Sequence, residues 1–343
     1  MKYRIAWVEG DGIGPEITKQ AIAVAETLQT RHSFRLDIRF RQAGDACKDR
    51  TGEALPAETL REIRQADAAV KGPVGETAAD VIVKLRQMLD LYANIRPARN
   101  YPGLPAIGRI DLVIVRENTE DLYKGLEFEV DGGAIGIRLI TEKATRRIAG
   151  KAAEFALRRR GKVTIVHKAN VMKRTCGLFS KVAKEELSRY PELSVDEMYV
   201  DAASMALIRK PERFDVILTS NLFGDILSDE AAQVAGGLGM AASGNLGDSA
   251  AIFEPVHGSA PDIAGGGLAN PYSMVLSLQM MLEWLAAKKG DKELTKAARD
   301  IERATRMALE SGAKTPDIGG SCSTAEVGRR LVEIITKLPA TND

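Results

Sequence analysis

Histidine and cysteine are scarce in this chain, and each shortage removes a class of function. Three histidines (His32, His167 and His257) cannot supply a His-rich metal centre. Three cysteines (Cys47, Cys176 and Cys322) lie far apart without CxxC spacing, which excludes a disulfide framework and suits free thiols in a reducing compartment. Neither sign of charge prevails: Lys plus Arg number 48 and Asp plus Glu 47, so nothing in the global balance points to nucleic acid or a membrane surface. Long apolar runs are missing too. The longest, Met274 to Ala287, is broken by Gln279 and Glu283 and is too short to span a bilayer. The N-terminus passes straight into Tyr3-Arg4-Ile5-Ala6-Trp7-Val8 with no basic-then-apolar signal segment, so a soluble, cytoplasmic protein is expected.

What is present is an ordinary globular composition, 45% hydrophobic and 28% charged, over 343 residues, enough for two domains. Short β-branched runs alternate with helical stretches. Residues 3–8, 34–40, 68–70, 112–115, 163–166 and 216–218 read as strands, and 15–31, 143–160, 178–189 and 222–234 as helices. Pro15 suits a first helical turn. This alternation predicts an α/β fold with mostly parallel pairing. Ala134–Thr141, after Asp131-Gly132-Gly133, is strand-like but has no natural β-α-β partner, so it reads as an edge hairpin or an arm. Residues 271–338 read as almost wholly helical, and no composition shift marks a domain boundary.

Several constellations carry chemistry. Asp225 and Asp229 are four apart on a helical segment, so they share a face, where two carboxylates repel unless a cation sits between them. Oxygen-only ligands suit Mg²⁺ or Mn²⁺; two solvated acids on an exposed face is the alternative. Arg86 ends a helical run, Arg96 lies in Asn94-Ile95-Arg96-Pro97, and Arg116 follows the strand at 112–115. Guanidinium forks near strand ends would grip a di- or tricarboxylate bidentately, though each arginine could equally serve a surface ion pair. Gly10-Asp11-Gly12-Ile13-Gly14-Pro15 sits between strand and helix but is neither GxGxxG nor a P-loop, which also lacks its lysine here. A second loop, Glu254-Pro255-Val256-His257-Gly258-Ser259-Ala260-Pro261-Asp262-Ile263, holds an acid, Asp262, that would accept hydrogen bonds from a ribose and repel a 2′-phosphate. Lys168, after the strand at 163–166, and Tyr123 could each be a surface residue, and Lys168 could instead serve as a base beside a divalent ion.

Taken in order, these pieces resemble the β-decarboxylating dehydrogenases, the family of isocitrate, 3-isopropylmalate and homoisocitrate dehydrogenases. The motifs run from Gly10 to about Thr324: GDGIGPE (10–16), LRQ with ANIRP (85–87, 93–97), VRENTEDLY (115–123), HKANV (167–171), NLFGDILSD (221–229), and EPVHGSAPDIAG (254–265) with ANP (269–271). The resemblance implies an α/β, two-domain fold that is not Rossmann, with an intersubunit arm that would include Ala134–Thr141. It implies a discontinuous cofactor domain, 1–91 plus 236–343, and a dimerisation and metal/substrate domain, 92–235. It makes Arg86, Arg96 and Arg116 the clamp on the malate carboxylates. Asp225 and Asp229 become ligands of Mg²⁺ or Mn²⁺, with Asp201 as the third from the other subunit of a homodimer, which could pair further into a tetramer. Lys168, also crossing the interface, becomes the base for the hydroxyl proton, and Tyr123 the acid that protonates the enolate. Ile13, Glu254, His257, Gly258, Ser259, Ala260, Asp262, Ile263 and Asn270 match the cofactor positions, and the Asp-Ile pair is the NAD-type choice.

In the resembled family the substrate's γ group is read a few places before the first clamp arginine, here by Val81, Ile82 and Val83. A carboxylate buried there would cost several kcal/mol. An isopropyl group would gain roughly 1.5–3 kcal/mol. The expected substrate is therefore 3-isopropylmalate, with homoisocitrate, isocitrate or a wider set of 3-substituted malates as alternatives. Arg116-Glu117-Asn118-Thr119-Glu120 is closer to the isocitrate and homoisocitrate branches. A non-catalytic nucleotide-binding protein is the contrasting class; the intact aspartates, arginines, Lys168 and Tyr123 argue against it.

Overall fold

The computed structural model describes residues 1–339. The first segment contains β1 (Lys2–Val8), α1 (Gly14–Arg31), β2 (Arg35–Arg41), α2 (Asp45–Thr51), α3 (Ala57–Gln65), β3 (Ala68–Lys71) and α4 (Asp80–Met88). The middle segment adds β4 (Ala93–Arg99), β5 (Asp111–Glu117), β6 (Glu127–Val130), β7 (Gly133–Gly136), α5 (Glu142–Leu157), β8 (Lys162–His167), α6 (Thr175–Leu187), β9 (Ser194–Tyr199), α7 (Val200–Arg209), β10 (Val216–Thr219) and α8 (Asn221–Ala235). The last brings β11 (Ala242–Leu246), β12 (Ala251–Pro255), α9 (Tyr272–Lys289), α10 (Lys292–Glu310) and α11 (Thr324–Lys337).

Ten strands form one sheet in the order β2-β1-β3-β12-β11-β4-β5-β10-β8-β9. The pairing is parallel except at β12–β11, β11–β4 and β4–β5, so the expected parallel sheet has an antiparallel middle. The first five strands in this order come from the two ends of the chain and the other five from the middle. The two sets meet where β11 pairs β4 over Gly244↔Ile95, Asn245↔Asn94 and Leu246↔Ala93. The strand order is not that of a dinucleotide-binding Rossmann sheet.

α9 is buried on nearly every side, from Tyr272 through Leu285, because it lies between the sheet and the outer helices α1 and α10. Its residues join Ile5, Trp7, Val70, Ile301 and Leu331 in the principal core. Ser323 and Glu326 form a reciprocal capping box that starts α11.

Three sequence expectations need correction. Arg96 is not at the edge of a strand but within β4, and Arg116 lies inside β5. β4 was hidden by Pro97, which a central strand should exclude; it is tolerated because β11 pairs no further along β4 than Ile95. Ala134–Thr141 is not one long strand: β7 ends at Gly136 and pairs antiparallel with β6 in an exposed hairpin, after which Thr141 caps α5 by accepting from the Ala144 N–H. Helix α5 stops at Leu157, short of Arg160, where the chain turns at left-handed Gly161.

Candidate active site

The antiparallel β4–β5 pair sets the geometry. Register places Asn94 opposite Arg116 and Arg96 opposite Ile114, so both arginines emerge on one face of the sheet. Helix α8 crosses that face. Gly224 lets it approach: a Cβ at this position would lie 2.5 Å from Arg116 Cγ. Arg116 is fully buried, donating from Nε to Asn221 Oδ1 (2.9 Å) and from Nη1 to Asp225 Oδ1, with its plane 5.0 Å from the Tyr123 ring. Its Nη2 is buried without a partner. Arg96 donates to Asn94 Oδ1 (2.8 Å), Ser228 Oγ (2.8 Å) and Asp229 Oδ1 (3.1 Å) and pairs with Asp225 at 3.2 Å. Tyr123 donates its hydroxyl to Asp225 Oδ2. Asp225 and Asp229 are therefore drawn into the arginine cluster, and the reading of each arginine as a surface ion pair is set aside.

Arg86 arrives from the last turn of α4, also buried. It donates to Asn245 Oδ1 (2.9 Å) and meets Glu254 at 3.4 Å. Glu254 is on β12, not in the loop that follows, and its carboxylate is fully engaged by Lys71 (2.8 Å), Asn245 and Arg86. Lys71, at the end of β3, was not singled out from the sequence; a lone lysine before Gly72-Pro73 gave no signal of burial.

The electrostatics describe a site prepared for an anion. Burial, then the neighbouring Arg116, pushes Arg86 down to about 10. Burial and Arg116 push Arg96 down as well. Guanidinium does not give up its proton at ordinary pH, so this downward pressure expresses positive charge without enough counter-charge. For Asp225, burial alone would raise the carboxyl, but Arg116 and Arg96 outweigh it and hold it below the carboxylate range. Asp229 goes the other way: burial raises it, and Arg96 offsets this only in part. Burial and the bond to Asp225 raise Tyr123, which keeps its proton at neutral pH.

Ile82 and Val83 precede Arg86 by four and three residues on α4 and so share its side of the helix, both partly buried. Val81 is fully buried, in a core cluster against which Ile82 also packs.

The cofactor candidates fall into two groups. Gly10-Asp11-Gly12-Ile13-Gly14 is a packing corner. Ile13 buries its side chain and donates its N–H to Ser259 O (2.9 Å), while a Cβ on Gly12 would lie 1.9 Å from that same oxygen. The Asp11 carboxylate accepts from the backbone of Asp45, Ala46 and Gly75. The corner thus seats the loop containing His257, Gly258, Ser259 and Ala260, the last with φ +39°. His257 Nδ1 faces Gly258 O at 3.0 Å; a carbonyl only accepts, so Nδ1 carries the proton and Nε2 is left as a buried acceptor without a donor. Asp262 is exposed and has no partner among the described residues, and Ile263 beside it is partly buried. Asn270, in contrast, is committed: it donates to Asp317 (3.0 Å) and accepts from the Tyr272 N–H.

Lys168 and Asp201 form a pair of their own, Nζ to Oδ1 at 2.5 Å, at the end of β8 and the start of α7. No hydrogen bond or ion pair joins either to Asp225, Asp229 or the arginines. Among the described residues no three acidic, histidine or cysteine side chains gather as a metal centre.

The model of the isocitrate/isopropylmalate dehydrogenase family matches residues 4–331. The chain belongs to that family. It is an oxidative, decarboxylating dehydrogenase that acts on a small molecule. It is 50% identical to a 3-isopropylmalate dehydrogenase of Sulfurisphaera tokodaii, over 98% of this chain and 100% of the relative. It is 48% identical to a 3-isopropylmalate/3-methylmalate dehydrogenase of Methanocaldococcus jannaschii, over 96% of this chain and 98% of that one. The crystal structure of isocitrate dehydrogenase from Methylococcus capsulatus superposes with a TM-score of 0.91 at 42% identity, covering 98% of this chain and 100% of the other. The isocitrate/isopropylmalate dehydrogenase fold therefore extends over both halves of the sheet. Among the described residues no helix is long and apolar enough to cross a membrane.

Proposed function

We propose that this enzyme oxidises and decarboxylates 3-isopropylmalate to 2-oxoisocaproate in leucine biosynthesis, using NAD and Mg²⁺ or Mn²⁺, in the cytoplasm. The observation that carries the reading is the buried cluster of Arg86, Arg96 and Arg116, with Arg116 Nη2 left unpartnered beside Asp225 and Asp229. The substrate class also follows the names of the relatives above.

Both groups fit the residues present. Asp225 and Asp229 offer only hard oxygen donors from one helical face, which suits a six-coordinate divalent ion. The unpartnered His257 Nε2 and the exposed Asp262 offer acceptors for an adenine amine and a ribose diol, with Gly258, Ser259, Ala260 and Ile263 lining the same loop. When bound, the ion supplies charge stabilisation at the 2-oxygen and NAD supplies the hydride acceptor. The three arginines hold the substrate carboxylates and fix C2 and C3 in place. Lys168 removes the hydroxyl proton as C2 is oxidised. After CO₂ leaves, Tyr123 delivers its proton to C3; a raised affinity for that proton keeps it loaded. Ile82 and Val83 receive the isopropyl group.

Lys168 and Asp201 act on the site of the other subunit of a homodimer. Their separation from the arginine cluster within one chain supports this reading, as do apolar side chains left exposed on the hairpin and nearby helices, including Phe128 (51%), Met205 (59%) and Ile226 (59%). We read 92–235 as the dimerising domain and 1–91 plus 236–343 as the cofactor domain, the antiparallel seam β11–β4 joining them.

NADH formation with Mg²⁺, offering 3-isopropylmalate, isocitrate, homoisocitrate and malate in parallel, tests the substrate. Fastest turnover of 3-isopropylmalate is expected; preference for a γ-carboxylate would overturn the apolar γ-pocket and leave the chemistry. Replacing Asp262 with Ser is expected to narrow the preference for NAD over NADP by roughly tenfold, about 1.4 kcal/mol. An unchanged ratio of the two kcat/KM values would remove Asp262 from the ribose site.

A further inference from the structure

His167 ends β8 and immediately precedes Lys168. The ring is buried. Its Nδ1 lies 3.1 Å from the N–H of Ala169, which can only donate, so Nδ1 is the bare acceptor and the ring proton sits on Nε2. Nε2 faces Glu197 Oε2 at 3.3 Å, and that carboxylate is itself held by Ser180 Oγ (2.7 Å) and Lys184 Nζ (3.2 Å). The Tyr199 ring meets His167 edge-on, centroids 5.7 Å apart, and the same ring lies 5.9 Å from Lys168 Nζ. Both hydrogen bonds of the imidazole are met together only by one neutral tautomer, and the one from Ala169, which closes the turn that displays Lys168, is the one a second ring proton would break.

We propose that His167 is a positioning residue: its unprotonated Nδ1 latches the 167–169 turn and so aims Lys168, and protonation releases that latch. The proposal rests on the reading of Lys168 as the base. A proton on Nδ1 would set N–H against N–H at Ala169, so the ring or the turn must move. The charged and titratable groups around the ring are Glu197 and Tyr199 from β9, Lys184 from α6, and Lys168 beside it with its partner Asp201 from α7; β10 brings Thr219, opposite Val166, which carries no charge. Burial, helped by Lys184, lowers the affinity of the ring for a proton, and Glu197 opposes this without winning. His167 is therefore held below its ordinary range, with the latch closed at neutral pH and opening as pH falls.

His167→Leu and His167→Asn separate the latch from mere packing, since both lose the Glu197 bond. The Asn Oδ1 can still accept from the N–H two residues on, as in an Asx turn, and does not titrate. His167→Leu is expected to lose roughly tenfold in kcat, the scale of one lost hydrogen bond in a critical turn, with KM changed far less. His167→Asn is expected to recover most of kcat and to flatten the acid limb of the kcat–pH profile. Equal kcat and an unaltered acid limb in both variants would overturn the latch. Lys168→Met serves as the control: near-normal turnover there would overturn the base assignment and the latch with it, whereas a dead Lys168→Met beside wild-type His167 variants removes only the latch.

Discussion

Lys168→Met and Asp225→Asn homodimers are each expected to lose about 10²–10⁴-fold in kcat, the usual weight of a general base or a ligand group. A heterodimer of the two, isolated with different affinity tags, is expected to regain about half the wild-type activity, because a twofold dimer has two equivalent sites. In it, one site combines the intact Asp225 of one chain with the intact Lys168 of the other, and the second site carries both defects. The expectation follows from the position of Lys168, paired with Asp201 and without contact to the arginine cluster of its own chain. A heterodimer as inactive as its parents would mean that Lys168 and Asp225 serve the same chain, and the two-subunit site would be withdrawn.

Arg116→Lys is expected to reduce kcat/KM by about 2–5 kcal/mol, a factor between roughly thirty and several thousand. An ammonium is a point charge and cannot reach Asn221, Asp225 and a ligand carboxylate along three fixed directions. Gly224→Ala tests the same contact from the helix side, and two effects of opposite sign compete there. Alanine favours a helix interior over glycine by about 1 kcal/mol. Yet its Cβ would stand 2.5 Å from Arg116 Cγ and 2.7 Å from Arg116 Cβ, neither at the mobile end of the side chain. Overpacking of this kind costs about 1–3 kcal/mol, so the clash prevails. Reduced kcat/KM with lowered thermal stability is expected; a more stable, fully active Gly224→Ala enzyme would show that α8 has room to withdraw.

Much of this site was legible in the order of motifs, and β5, which bears Arg116, was legible as a strand at 112–115; β4, β11 and β12 were not. Strands β1, β3, β5, β8 and β10 are built mainly of apolar residues and announce themselves. β4 reads Ala-Asn-Ile-Arg-Pro-Ala-Arg, β11 Ala-Ser-Gly-Asn-Leu and β12 Ala-Ile-Phe-Glu-Pro, in which Asn, Arg, Gly, Glu and Pro dilute the few residues that strand propensity favours. Their polar residues are there because Asn94, Asn118 and Asn245 share a buried hydrogen-bond network under Arg86, and Gly244 is there because a Cβ would come within 3.0 Å of the Phe253 ring. Local rules fail where a buried polar network occupies the positions. β9 was missed for a different reason: it is an edge strand with Asp196 and Glu197 on it, and charge at an edge discourages unwanted pairing. The fully buried state of Glu254 had no sequence signal, since its partners Lys71 and Arg86 are remote along the chain.

The interleaved strand order also imposes a schedule on synthesis. β3 finds its second neighbour only when β12, residues 251–255, has been made, and α1 waits for α9 and α11. At about 5–20 residues per second, the ribosome takes roughly ten to forty seconds to bridge that interval. Meanwhile residues 92–235 emerge as an uninterrupted stretch holding β4, β5, β10, β8 and β9 with their helices. On this order the middle of the chain has all but one of its strand partners before its beginning does, and β3 lacks its second neighbour until the last third of the chain has been made.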